Sequence, residues 1–349
     1  MKLPHVLQRA KIPMLFLIGG VQLVIVVAIS VTAVSLLAKD APAPKGGSSK
    51  EQEELSMGSR LLAALPSLPS FKNETPLVAA IIENHEDARP HQVGLPNAEV
   101  VFEMIAEGDI TRFLALFRGD DLPKSIGPVR SLRLHFVTVL DPYIPLLLHI
   151  GGNPLAYDAL ALTNRIIDHD GIRFDGQTFQ RAKDIPAPHN LFMAKKPLLA
   201  LLEEKAAKLT PVSFPLFATG GIPKGGKTAE KISVNFGSAV HDVTYTFNSW
   251  NGEYIRGTGG ATRQATPENV LVLETEVQGY GERGAIPWTR TTGEGKMLLF
   301  RDGKGYEGRW KRAEGKPFSF VNAKGEELNL DAGQAWIMML PDLRMVEWE

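Results

Sequence analysis

The chain has 349 residues, 44% of them hydrophobic, and carries 38 Lys and Arg against 39 Asp and Glu for a formal net charge of −1. That is enough apolar material and length for a large core and more than one domain. Near-neutral charge without a Lys/Arg-rich run argues against a nucleic-acid partner, and the lack of cysteine excludes disulfides, thiolate metal sites, a Cys nucleophile and a lipid-modified Cys.

Residues 12–38 form a stretch of 27 positions without a charge. At 1.5 Å per residue such a helix crosses a hydrocarbon core of about 30 Å with some tilt, so a single transmembrane anchor is expected there. Lys2, Arg9 and Lys11 precede it. By the positive-inside rule they keep residues 1–11 in the cytoplasm and place everything after Lys39 outside the cell membrane. A cleaved signal peptide is the competing reading, but its apolar region is only about 7–15 residues long. Residues 39–75 open with KDAPAPKGGSSKEQEELSMG, a linker composition of Pro, Gly, Ser and charge without apolar periodicity.

From 76 to 215 short apolar runs alternate with helical stretches, which predicts an α/β (α+β) domain. Strands are expected at Leu77–Ile82, Val100–Ala106, Phe113–Phe117 and Ile144–Ile150. Gly151-Gly152-Asn153-Pro154 then reads as a turn with Asn153 at a helix N-cap and Pro154 at the first helical position. The same turn is a weaker candidate for an anion site of free N–H groups. Ser131 is expected to cap a helix carrying Arg133 and His135. Beyond a Lys-, Gly- and Pro-rich boundary, residues 230–349 change to short alternating runs such as KISVNF, VTYTFN, EYIRG, NVLVLETEV and AWIMML. DGKG at 302–305 and NAKG at 322–325 are hairpin turns between such runs, so this segment is expected to be a small, mostly antiparallel β domain. Trp250, Trp288, Trp310, Trp336 and Tyr254 are assigned first to its core, with sugar stacking as the other use of such rings.

Candidate chemistry concentrates between Ala98 and Arg133, where charges are embedded in apolar strands, a placement that requires partners. Glu103 and Glu107 are the candidate catalytic carboxylates. On an extended strand they would stand about 13 Å apart, too far for glycoside hydrolysis unless the chain bends at Glu107-Gly108. The plainer reading pairs Glu103 with Arg112 or Arg130 and lets Glu107 end the strand. Arg89, Arg112, Arg118, Arg130 and Arg133 fall within 45 residues, and guanidinium forks suit an anionic ligand as well as internal ion pairs. No histidine spacing matches a metal motif, no cofactor is implied, and Asp168-His169-Asp170 reads first as a polar loop, with ligation of an ion as its other use. His189 in PAPHNLF is held by flanking prolines. Without a GxSxG elbow, P-loop or GxGxxG after a strand, nucleotide and acyl-transfer chemistry lack support.

IIENHEDARPHQVGL, AEVVFEMIAEGDITRFLALF, IGPVRSLR, HIGGNP and PHNLF, in that order, resemble the first half of the YerB lipoprotein family, a two-part family of bacterial envelope proteins. NVLVLETEV, GYEGRWKR and AGQAWIMMLP resemble its C-terminal β domain, and the likeness spans residues 76–342. The resemblance implies an α/β domain followed by a β domain, outside the membrane and near the peptidoglycan synthesis machinery. Relatives are tethered through a lipidated Cys; here the apolar segment 12–38 would replace the lipid. The family supplies no catalytic residues. The leading expectation is an envelope protein that binds a cell-wall component or a wall-synthesis partner through Asn84, Arg89, Arg112, Arg130, Arg133 and His189. The alternative is an enzyme on peptidoglycan or another anionic glycan, either a hydrolase using Glu103 or Glu107 or a phosphoryl transferase using the arginines. A purely structural scaffold is the third class.

Overall fold

The computed structural model describes residues 74–349 apart from 260, 280–284 and 286. The expected anchor 12–38 and most of the linker lie outside the described residues. Among the described residues no helix is long and apolar enough to cross a membrane.

The principal strands, in chain order, are β1 (Leu77–Glu83), β2 (Val100–Ile105), β3 (Thr111–Arg118), β4 (Leu146–His149), β5 (Ile167–Asp170), β6 (Leu191–Ala194), β7 (Lys231–Val234), β8 (Val243–Asn248), β9 (Glu253–Thr258), β10 (Ala261–Ala265), β11 (Asn269–Glu274), β12 (Gly293–Arg301), β13 (Lys304–Arg312), β14 (Ala335–Leu340) and β15 (Val346–Trp348). The main helices are α1 (Leu134–Leu140), α2 (Pro154–Thr163) and α3 (Lys195–Lys205). One large sheet runs β13-β12-β11-β14-β2-β3-β1-β4-β5, with short strands added at its β13 end. A second sheet, β10-β9-β8-β7-β15, is antiparallel throughout.

The strands expected in 76–215 form with shifts of one or two residues at their ends. The fold is nonetheless mostly β, with fewer helices than a full α/β layer carries. The reason is topological: β2 pairs with β3, and β3 with β1, antiparallel, and such neighbours need no crossover helix. Among the described residues only β4 to β5, parallel and joined through α2, keeps the βαβ form. The large sheet also takes strands from both sequence segments, because β14 lies parallel between β11 and β2.

Both faces of this sheet are covered, which explains why its strands read as nearly unbroken apolar runs. On one face Val78, Ala80, Ile82, Val101, Phe113 and Trp336 pack against Ile232, Val243 and Tyr245 of the second sheet. On the other, Ala79, Ile81, Phe102, Leu114 and Ile337 pack with Phe136 and Leu140 of α1. Trp310 and Trp336 are core residues, whereas Trp250 is 96% exposed.

Asn153 Oδ1 accepts from Ala156 N at 2.9 Å with Pro154 at the first helical position, as its sequence requires. Asp302 and Gly303 both adopt positive φ and close β12 onto β13, the geometry of a two-residue hairpin turn. Ser131 does not cap α1; the cap position is Arg133, without a side-chain cap bond, because the chain stays extended two residues further. Asp168, His169 and Asp170 are part of β5 rather than a loop.

Candidate functional site

β1, β2, β4, β5, β11 and β14 all point the same way, and β3 alone among the central strands runs against them. Their carboxyl ends therefore form one edge, the edge at which open α/β sheets bind ligands. Most of the charged residues singled out from sequence meet there. Glu83 ends β1, Glu107 follows β2 in a tight turn through Gly108 at φ 67°, and Arg112 is the second residue of β3. The GPVRSLR segment is laid along this edge by backbone bonds: Glu83 N donates to Pro128 O, Arg130 N to Ile81 O, and Ile150 N to Arg130 O. PHNLF lies beside it, since Val129 N donates to Leu191 O at 2.8 Å.

The candidate carboxylates and binding residues divide into two groups. The first is enclosed between the sheets. Glu103, on the β2 face turned to the second sheet, is 0% exposed, as is Arg256 of β9. Arg256 donates to both Glu103 oxygens at 2.9 and 2.7 Å, Thr111 Oγ1 donates at 2.7 Å and Trp336 Nε1 at 2.8 Å. The guanidinium also lies over the Trp336 ring, 4.6 Å from its centroid. The partner of Glu103 is thus Arg256, not Arg112 or Arg130, and the carboxylate is saturated by donors and shut off from substrate. Asn84 continues the chain, donating to Thr111 Oγ1 at 2.6 Å and accepting from Arg89 Nε at 3.2 Å. Arg89 Nη2 meets His241 Nδ1 at 2.6 Å. Burial, then the neighbouring Arg89, pushes His241 down to about 4, so it is the neutral acceptor of that bond.

The second group reaches the surface through Glu107, Arg130 and, to a lesser degree, Arg133, while Glu83 and Arg112 are buried. Arg130 Nε donates to Glu83 Oε1 at 2.8 Å, and Glu83 Oε2 faces His189 Nδ1 at 3.0 Å. Arg133 Nε donates to Glu107, and Arg112 lies 3.6 Å from the other Glu107 oxygen. Burial by itself would raise the Glu107 carboxyl, but the Arg133 bond and the Arg112 charge outweigh it and hold it below the usual range. Burial pushes Arg112 down to about 10, and the Arg133 and Arg130 charges add to that effect. Arg112, Arg130 and Arg133 therefore face two carboxylates, Glu83 and Glu107, so that this group of five carries one positive charge in excess. His135 of α1 lies beneath; it is fully buried, neither ring nitrogen has a hydrogen-bond partner, and burial with the Arg112 and Arg133 charges lowers it to about 3.

Further along the edge His149 is wholly buried, with Nε2 at 2.6 Å from Asp168 Oδ1 and Nδ1 at 2.9 Å from Gly151 O. Burial opposes its protonation, yet the Asp168 bond and charge prevail and raise it. The Gly151-Gly152 turn is committed internally, because Asp170 Oδ1 takes the Gly151 and Ile172 N–H groups. The fold also brings His85, Asp87 and His189 together, each with a ligand atom within 4.8 Å of the others. Sequence spacing could not reveal this trio, since His189 lies more than a hundred positions from the other two. Arg256 and His241 were missed for the same reason. Glu83 carried a local signal, as a carboxylate ending an apolar strand beside Asn84.

Residues 62–208 match the family described as "Protein of unknown function (DUF3048) N-terminal domain", and residues 232–337 match its C-terminal domain. The chain is 31% identical over 277 residues to "Putative lipoprotein YerB" of Bacillus subtilis (strain 168), covering 76% of this chain and 81% of that protein. It belongs to the YerB-like family. The crystal structure of the Bacillus subtilis YerB protein superposes with a TM-score of 0.70 at 28% identity, over 81% of this chain and 97% of that one. The YerB-like fold is thus the mostly β, shared-sheet architecture described above.

Proposed function

We propose that this YerB-like protein is an extracytoplasmic envelope protein, held to the membrane by residues 12–38, that binds an anionic group of a cell-wall component or of a wall-synthesis partner. The Bacillus subtilis relative is named as a lipoprotein, which supports the envelope location, and the apolar segment would serve here as the tether. The observation that carries the binding reading is the unbalanced arginine cluster at the carboxyl edge of the sheet. Arg112, Arg130 and Arg133 share two carboxylates within mutual electrostatic reach. An incoming phosphate or carboxylate would relieve that excess by accepting from guanidinium forks already held in place.

A glycan hydrolase needs a carboxylic acid that stays protonated near neutral pH. Glu103 is enclosed and ion-paired, and Glu107 is shifted in the opposite direction. Binding is therefore favoured over hydrolysis. The test is co-sedimentation of the detergent-purified full chain with peptidoglycan, carrying or stripped of its anionic polymers. Arg130→Gln with Arg133→Gln should reduce the pelleted fraction at least tenfold, and added salt should release the wild type. Equal pelleting by the wild type and the double variant would overturn the site. Muropeptides released by the wild type and not by Glu107→Gln would replace binding with hydrolysis.

A further inference from the structure

We infer that His85, Asp87 and His189 form a site for a divalent transition metal of the zinc type. The inference goes beyond the anion-binding reading and does not depend on it. Two imidazoles and one carboxylate make an N/N/O donor set, which suits zinc, cobalt, nickel or copper rather than the all-oxygen shells of magnesium and calcium. The ligand atoms already lie within 4.8 Å of one another. Around a tetrahedral ion with bonds of about 2.0–2.1 Å they would stand roughly 3.4 Å apart, so the widest separation must close by about 1.4 Å.

The three side chains are suited to that closure in different ways. His189 is the fixed member: its ring is 13% exposed, and the buried Glu83 carboxylate takes its Nδ1 proton at 3.0 Å. A carboxylate accepts only, so Nδ1 carries the hydrogen and Nε2 keeps its lone pair for a ligand. A carboxylate behind a ligating imidazole fixes ring and tautomer in this way in many metal sites. Glu83 is in turn held by Arg130. His85 and Asp87 are the adjustable members, in the turn that follows β1, with side chains 32% and 69% exposed. His85 Nδ1 accepts from the Asp87 N–H at 3.2 Å and lies 3.5 Å from Asp87 Oδ2, so that turn holds both side chains together and an ion bound through Nδ1 would take the place of that N–H bond. The His85 ring already stacks on His189, with centroids 5.1 Å apart and planes at 25°. Three protein ligands, two of them on an accessible turn, leave a fourth position open to water or to a ligand oxygen, the pattern of reactive rather than structural zinc sites.

The test uses the untagged full chain, stripped with a chelator, and titrated with Zn2+ against a chromophoric competitor and with Co2+ by visible absorption. One equivalent of each ion is expected, with cobalt giving the d–d bands of a four- or five-coordinate site. His85→Ala and His189→Ala should each weaken Zn2+ at least tenfold, and Glu83→Gln, which touches no metal, about 10–100-fold. Because Glu83 and His189 are largely buried, far-UV circular dichroism of each metal-free variant is compared first. His85→Ala, at a partly exposed position, keeps the test decisive if the others misfold. Arg133→Gln should leave Zn2+ affinity unchanged while weakening wall binding, so the two proposals fail separately. Absence of saturable binding to the wild type, or one-equivalent binding that survives in a folded His85→Ala variant, would overturn the site.

Discussion

The Glu103–Arg256 pair invites the most exacting perturbation, because both side chains are 0% exposed and together they join the two sheets. Glu103→Gln preserves shape but removes the charge, leaving the Arg256 guanidinium buried without its counter-ion. The new amide also presents hydrogens to a site where Thr111 Oγ1, Trp336 Nε1 and Arg256 all donate, so at least one donor loses its acceptor. Breaking one side of a buried ion pair costs about 3–5 kcal/mol. At about 2–4 °C per kcal/mol for a unit of this size, that is a fall in Tm of roughly 6–20 °C. Arg256→Met should cost a similar amount, since it strands the carboxylate instead. The double variant Glu103→Leu/Arg256→Met removes both charges and should lie within about 3 kcal/mol of the wild type, burdened chiefly by the orphaned Thr111 and Trp336 donors. Urea denaturation followed by circular dichroism measures all three, and the cycle yields the coupling energy. Single losses below about 1 kcal/mol, or a double loss equal to the sum of the singles, would refute a buried, mutually dependent pair.

Further expectations follow from the same structure. His135, His169 and His241 are lowered, first by burial, to about 3, 4 and 4 from 6.5, so the unfolded chain binds protons that the folded one does not. Their contribution to stability is complete above pH 6.5 and is lost as pH falls toward the folded values. Each adds a slope of up to about 1.4 kcal/mol per pH unit in that window, and His135→Phe should flatten the urea-midpoint profile between pH 6.5 and 4. A profile unchanged by that substitution would contradict the burial of a neutral His135. His149 has the opposite sign: with its folded value raised by Asp168, its contribution is complete below pH 6.5 and fades as pH rises through the folded value, so Asp168→Asn should remove stability mainly on the acid side. Asn153→Ala should cost about 1 kcal/mol by freeing the Ala156 N–H, with Asn153→Asp restoring most of it; equal stability of all three would show that the cap is idle.

Much of the local structure follows from the sequence by short-range rules. Strand residues Leu77–Glu83 and Thr111–Arg118, the Asn153-Pro154 helix start and the Asp302-Gly303 hairpin all rest on propensities and backbone preferences that a few neighbouring residues determine. The crowding of charge between Glu103 and Arg133 was legible too, since charged side chains within apolar strands must find partners. Which partners they find was not. Apolar strands buried on both faces carry no alternation that reports their neighbours, so nothing local places β14 between β11 and β2. Only the packing of the second sheet onto the first delivers Arg256 to Glu103 across 153 positions. The same long-range closure seats His189 on Glu83 and beside His85, dividing one set of candidate residues into an enclosed ionic clasp and an accessible edge. Residue type thus determined that a polar network had to exist, and tertiary contact decided which of its members water and ligands can reach.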